Sequence, residues 1–179
     1  GTAPLDQELK TFEQLVTALP TAATLRLDAN GGLTLSEAEA WLAQCDRLPE
    51  GRIDCLEQPL PVGQFPEMLL LQQRHRTTLG LDESVASVAQ LERCLMNGWQ
   101  GVVVIKAAIA GFPSHLRQVC QRHGADIIWS SVFETAVARR YAFHHLIPAQ
   151  PSRALGYGTG HWFTDGWDSL APDQLWSRL

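Results

Sequence analysis

Four polar residues, Asp28, Glu57, Asp82 and Lys106, each close a short apolar run, and successive members are 29, 25 and 24 residues apart. An interval of that length accommodates one strand, one helix and two loops. The residues therefore recur at equivalent ends of neighbouring parallel strands, where three carboxylates and one ammonium converge. The runs are Thr24 to Leu27, Ile53 to Leu56, Leu79 to Leu81 and Val102 to Ile105. Two further runs lack a matching charge. Asp126 to Trp129 leads into Ser130 and Ser131, and Ala154-Leu155 leads into Gly156-Tyr157-Gly158-Thr159.

Helical spacing fills the intervals. Leu5, Leu9, Phe12, Val16 and Leu19 follow the rhythm of one buried helix face, as do Ala38, Trp41, Leu42 and Cys45. Val88, Leu91 and Leu95 repeat it, then Leu116, Val119 and Cys120, then Val137, Ala138 and Tyr141. Thr34 with Glu37, and Ser131 with Glu134, have the spacing of capping boxes that satisfy free amides at helix N-termini. The order is one helix, then six strand-helix or strand-loop units.

Such alternation implies a parallel sheet with covered faces, which explains runs that are apolar rather than alternating. Even spacing, with chemistry at the C-terminal ends of consecutive strands, selects a closed (β/α) TIM-type barrel over an open wound sheet, whose strand ends spread along a crevice. A full barrel takes about 250 residues, whereas this sequence has 179 and six strand candidates. We therefore expect residues 1–179 to be the C-terminal portion of one barrel, strands three to eight. The first strands and any N-terminal capping domain would lie outside it.

With 45% hydrophobic and 18% charged residues, the chain can bury a core. A net charge of −5 and the lack of a basic stripe argue against nucleic acid. No run reaches the roughly 20 apolar residues of a membrane span, and no signal peptide is visible. Cys45, Cys55, Cys94 and Cys120 are scattered and form no paired ligand motif, so buried free thiols are expected. A cytoplasmic enzyme is the class that remains; oligomeric state is not legible.

Asp28, Glu57 and Asp82 would supply three oxygens from three adjacent strands, a set suited to Mg²⁺, with Mn²⁺ as the alternative. Any one of them alone could be an ordinary strand-end acid. Three in succession at equivalent positions are hard to assign to chance when 19 of 179 residues are acidic. Lysine occurs only at positions 10 and 106. Lys106 ends a run of four β-branched residues, so its ammonium either forms a structural ion pair or serves as acid, base or fixed charge. Arg26 and Asn30 flank Asp28 at two-residue spacing, a pattern that lets them reach substrate or brace the ligand, with a structural ion pair the alternative for Arg26. Ser130 and Ser131 precede a helix whose amides attract anions, and Gly156 permits close backbone approach. Plain capping would equally explain Ser131. The remaining histidines show no metal spacing; His144 and His145 suit a helix C-terminus.

The phrases Leu25-Arg26-Leu27-Asp28-Ala29-Asn30, Asp54-Cys55-Leu56-Glu57-Gln58-Pro59, Leu81-Asp82-Glu83-Ser84 and Val104-Ile105-Lys106 resemble the barrel of the enolase superfamily, in its muconate-cycloisomerase-like branch. Ser130-Ser131-Val132-Phe133-Glu134-Thr135 and Gly156-Tyr157-Gly158-Thr159-Gly160 resemble the o-succinylbenzoate synthase family within that branch. By position, the resemblance implies metal ligation by Asp28, Glu57 and Asp82 and matches Lys106 to the lysine after strand six. A second lysine, in a Lys-x-Lys motif at strand two, has no counterpart here, and we expect it upstream.

The implied reaction is syn dehydration of a small dicarboxylate, 2-succinyl-6-hydroxy-2,4-cyclohexadiene-1-carboxylate, in menaquinone and phylloquinone biosynthesis. The proton removed is weakly acidic, and superfamily sites stabilise the resulting charge with Mg²⁺. Two alternatives stay open: an N-succinylamino acid racemase of the same superfamily, and a non-catalytic barrel binding a metal or anion. A dipeptide epimerase is disfavoured, because strand eight offers no acid before Asp165 to hold an ammonium.

Overall fold

The computed structural model describes residues 3–159 together with 166, 167, 170, 171, 173, 174 and 177. It begins with helix α1 (Leu5–Ala18), which precedes strand β1 (Leu25–Asp28). Helix α2 (Leu35–Cys45) leads to β2 (Ile53–Glu57), α3 (Phe65–Arg74) to β3 (Leu79–Leu81), and α4 (Val88–Met96) to β4 (Val102–Lys106). Helix α5 (Pro113–His123), β5 (Ile127–Ser130) and α6 (Ala136–His145) follow. Short 3-10 turns at Val62–Gln64 and Glu83–Val85 interrupt the loops after β2 and β3.

All strand pairs are parallel, and the spatial order β1-β2-β3-β4-β5 is the sequence order. Strands laid down consecutively, each joined by a crossover helix, curl into part of a (β/α) barrel; an open wound sheet would reverse its order at a switch point. The expected sixth strand is a correction. Among the described residues, the run at Ala154-Leu155 makes only an isolated parallel bridge, Gly156 with Ser130.

Period-two alternation sorts each strand into two faces. Leu56, Leu79, Leu81, Val103, Ile105 and Trp129 join the large core under the helices, with Leu42, Met68, Leu71, Leu91 and Leu116. The intervening positions Cys55, Val102, Val104 and Ile128 form a separate buried cluster inside the barrel. Glu57, Lys106 and Ser130 continue that inner face two residues beyond Cys55, Val104 and Ile128. The sequence pattern thus puts apolar side chains at the bottom of the barrel interior and polar ones at its top.

Helix ends follow local chemistry. At α2, Thr34 and Glu37 form the reciprocal capping box, with Thr34 N donating to Glu37 Oε2 at 2.8 Å. At α6 the cap is Thr135 and not Ser131, because the Ser131–Glu134 pair closes a turn of its own before the helix. Helix α3 was not anticipated: Met68-Leu69-Leu70-Leu71 is a continuous apolar run that carries no 3.6-residue contrast, and only Met68 and Leu71 are buried. Helix α5 ends at Gly124 in the left-handed conformation, the usual stop signal.

Candidate active site

The four residues that closed the apolar runs all lie at the C-terminal ends of adjacent strands. Asp28 is paired with Glu57 in the β1–β2 register. Asp82 follows β3 directly, and Lys106 is the last residue of β4, paired with Ser130. Glu57 and Asp82 are 7% and 6% exposed, whereas Asp28 is exposed. Burial pushes the Glu57 carboxyl up to about 7; the charges of Asp28 and Asp82 add to the effect, while Arg26 and Lys106 oppose it. Three carboxylates thus share one region that is short of positive charge.

Their side chains have not closed on one point. Among the described residues, no three His, Cys, Asp or Glu side chains are gathered as metal ligands. Each outer carboxylate has a local donor: Asp82 Oδ2 accepts from Lys106 Nζ, and Asp28 Oδ1 accepts from the Asn30 amide at 2.9 Å. The expected convergence holds for backbone position and electrostatics but not for the side-chain oxygens, because like charges repel and neighbouring donors are within reach. In chemistry the set still fits a hard divalent cation: oxygen donors only, two of them buried, and one raised in pKa by burial and by the other two.

Residues 1–175 match the protein family described as Enolase C-terminal domain-like. The chain belongs to that family. It is 39% identical, over its whole length, to the o-succinylbenzoate synthase of Thermosynechococcus vestitus, of which the match covers 57%. It is 32% identical to the N-succinylamino acid racemase of Thermus thermophilus, a match covering 68% of this chain and 33% of the racemase. Among solved structures, o-succinylbenzoate synthase from Thermosynechococcus elongatus, complexed with Mg in its active site, superimposes with a TM-score of 0.87 at 38% identity, covering 99% of this chain and 57% of that one. The chain therefore spans little more than half the length of these synthases.

For an enolase C-terminal-like domain, the remaining candidate residues divide sharply. Arg26 is committed to an ion pair. Its Nε and Nη2 both donate to Asp54 Oδ2, at 3.0 and 2.6 Å, and Nη2 also donates to the Ala154 carbonyl. Arg153 holds the other Asp54 oxygen and pairs with Asp126, so the two arginines and two aspartates form one network at the bottom of the barrel. The ion-pair alternative is what the structure shows for Arg26.

Asn30 is not on the strand face. β1 ends at Asp28, and Asn30 has a left-handed φ of 47°, so the two-residue spacing does not carry the strand to it. Its amide, which turns back onto Asp28, is the part that serves the site.

Ser131 departs from expectation most. Its hydroxyl donates to Glu134 Oε2 at 2.9 Å and accepts from the Phe133 amide at 2.9 Å, and Thr159 Oγ1 lies 3.1 Å away. Glu134 Oε2 also takes the Val132 amide. The protein's own carboxylate therefore occupies the Ser131 hydroxyl that was proposed for a substrate anion. Ser130 stands level with Lys106, and its hydroxyl donates to the Gly156 carbonyl at 3.3 Å. Gly156 is small because Ser130 packs on it: a Cβ there would lie 2.6 Å from Ser130 Oγ. Gly160, His161 and Asp165 lie outside the described residues.

All four cysteines are buried and unpaired. Burial pushes Cys45 and Cys55 up to about 12 and Cys120 to about 11, which removes them as nucleophiles or soft-metal ligands near neutral pH. No helix among the described residues is long and apolar enough to cross a membrane.

Two residues near the site escaped sequence reasoning. Gln58, 1% exposed, and Ser84, 6% exposed, are hydrogen-bonded to each other between the ends of β2 and β3. The available signal was position: each lies within two residues of an acid that closes an apolar run.

Proposed function

We propose that the full-length protein is a divalent-metal-dependent o-succinylbenzoate synthase. It would remove water from 2-succinyl-6-hydroxy-2,4-cyclohexadiene-1-carboxylate in menaquinone or phylloquinone biosynthesis. The observation that carries this reading is the placement of Asp28, Glu57, Asp82 and Lys106 at adjacent strand ends, on a chain 39% identical throughout to a synthase.

In this reading Asp28, Glu57 and Asp82 hold Mg²⁺ or Mn²⁺. A divalent cation there supplies neutralisation of the charge that develops on the substrate carboxylate when the adjacent carbon loses its proton. Lys106, which here donates to Asp82, would face the substrate with its ammonium as a fixed positive charge once Asp82 served as a ligand. The base that would take the proton, and then hand it to the departing hydroxide on the same face so that water leaves, is a lysine of a Lys-x-Lys motif, which we place with the first strands and a capping domain in the remainder of the polypeptide.

The racemase is the second reading, favoured by the similarity to the Thermus thermophilus enzyme. Both readings use the same acids and ammonium, so substrate assays separate them. Full-length protein with Mg²⁺ is expected to convert the cyclohexadiene carboxylate with a kcat/KM well above that for exchange of the α-proton of an N-succinylamino acid. The reverse order would overturn the synthase assignment, and activity with neither would support the non-catalytic alternative.

A further inference from the structure

Gln58 makes more connections around the site than any acid does. Its backbone amide donates to Gly80 O in β3 at 2.9 Å, and its carbonyl accepts from Gly31 N in the loop after β1 at 2.6 Å. Its side-chain oxygen accepts from the amides of Asp82 and Ser84, at 3.0 and 3.3 Å. Its side-chain nitrogen donates to Leu60 O and Ser84 Oγ, both at 2.9 Å. Every polar group of this residue is thus used, and its partners belong to the segments that carry Asp28, Glu57 and Asp82.

The backbone conformation agrees. Gln58 has φ of 34°, in the left-handed region that a side chain with a Cβ rarely adopts. The strain turns the chain sharply after Glu57, and it persists because the buried amide group is held from both sides. Glycine would relieve the backbone but would abandon the Asp82 and Ser84 amides.

Resting on the metal-site reading above, we propose that Gln58 is the positioning residue for the cation. It touches neither the cation nor the substrate. By fixing the Asp82 backbone and the exits of β1 and β2 relative to one another, it sets the separation of the three carboxylates. Ser84 assists by holding the carboxamide in the orientation that presents its oxygen to Asp82.

Mn²⁺ titrations of full-length protein, followed by electron paramagnetic resonance, test this with four proteins: wild type, Gln58→Met, Ser84→Ala and Asp82→Asn. Gln58→Met preserves side-chain size and deletes four hydrogen bonds. In folded Gln58→Met, as judged by circular dichroism, Mn²⁺ affinity is expected to fall about tenfold or more, the usual effect of removing a group that orients a ligand. Ser84→Ala should cause a smaller loss of the same sign. Wild-type Mn²⁺ affinity in folded Gln58→Met, with affinity lost in Asp82→Asn, would overturn the positioning role and leave the metal site standing. Wild-type affinity in Asp82→Asn would instead overturn the metal-site reading. Should Gln58→Met fail to fold, Ser84→Ala decides, and undiminished Mn²⁺ affinity in that variant overturns the proposal.

Discussion

At the scale of single residues, Glu57 and Lys106 carry the sharpest expectations. Glu57 has its carboxyl raised from 4.5 to about 7, by burial first and by Asp28 and Asp82 second. The folded, metal-free protein therefore holds a proton on Glu57 that the unfolded chain releases. This contribution to stability is present below about pH 4.5 and is lost as pH rises through about 7. A cation held by Glu57 as proposed would have to displace the same proton. Mn²⁺ affinity of the full-length protein should rise on the order of five- to tenfold between pH 6 and 7.5 and level off above, as a group titrating near 7 dictates. A flat pH profile in calorimetric titrations would show that Glu57 is not a ligand. Lys106→Ala should lower turnover by about 10²-fold, the usual loss for a positioned proton-transfer or charge-stabilising group. Steady-state rates within a few-fold of wild type would confine Lys106 to its ion pair with Asp82. The four acidic and basic positions were readable in the sequence because each ended an apolar run. The occupation of Arg26 and Ser131 was not, since Asp54 lies 28 residues from Arg26, and the Glu134 that engages Ser131 looks like an ordinary capping acid until the helix is seen to start at Ala136.

Elements are where sequence reasoning succeeded most, and its failures have specific causes. Strands ending at Asp28, Glu57 and Lys106 were legible because parallel strands with covered faces are mainly apolar and each of these stops at a charge. Helix α3 was illegible because four consecutive apolar residues hide the helical period, and the sixth run is, among the described residues, a single bridge at Gly156 packed on Ser130. Helix α1 depends on a contact that no local pattern announces. Its last turn has no basic residue, yet the buried Arg52 guanidinium donates to Val16 O at 2.8 Å and Leu19 O at 3.2 Å, and also to the carbonyls of Pro20, Thr21 and Ala23. A cation from the start of β2 thus satisfies the C-terminal carbonyls of a helix more than thirty residues earlier. Arg52→Met should destabilise the protein by about 2–3 kcal/mol, the range for charge-assisted hydrogen bonds left unmade. Urea denaturation measures this, and unchanged Mn²⁺ affinity in the same variant would show that α1 stabilises the barrel without shaping the proposed metal site.

Across the whole molecule, polarity is graded along the barrel axis. The bottom holds the Arg26–Asp54–Arg153–Asp126 network, the middle holds the apolar cluster of Cys55, Val102, Val104 and Ile128, and the top holds the carboxylates and Lys106. Asp54 and Glu57 stand at opposite ends of β2, roughly 10 Å apart along the strand. Asp54 is the shared partner of both arginines, and Arg153 reaches it from 99 residues away, fastening the chain beyond β5 to β2. Asp54→Asn leaves Arg26 without a counter-charge and Arg153 with Asp126 alone, in a partly buried site. The expected cost is about 3 kcal/mol, the lower end of what breaking a buried pair entails. Replacing three of the four network residues, Arg26→Met with Asp54→Leu and Arg153→Met, should cost less than Asp54→Asn alone, because the one charge then left without its partner, Asp126, has a side chain 40% exposed to water. Thermal unfolding of the two full-length variants measures the difference. A triple variant less stable than Asp54→Asn would mean that the ions contribute net attraction to barrel assembly, whereas a more stable one assigns them to fixing which strands meet.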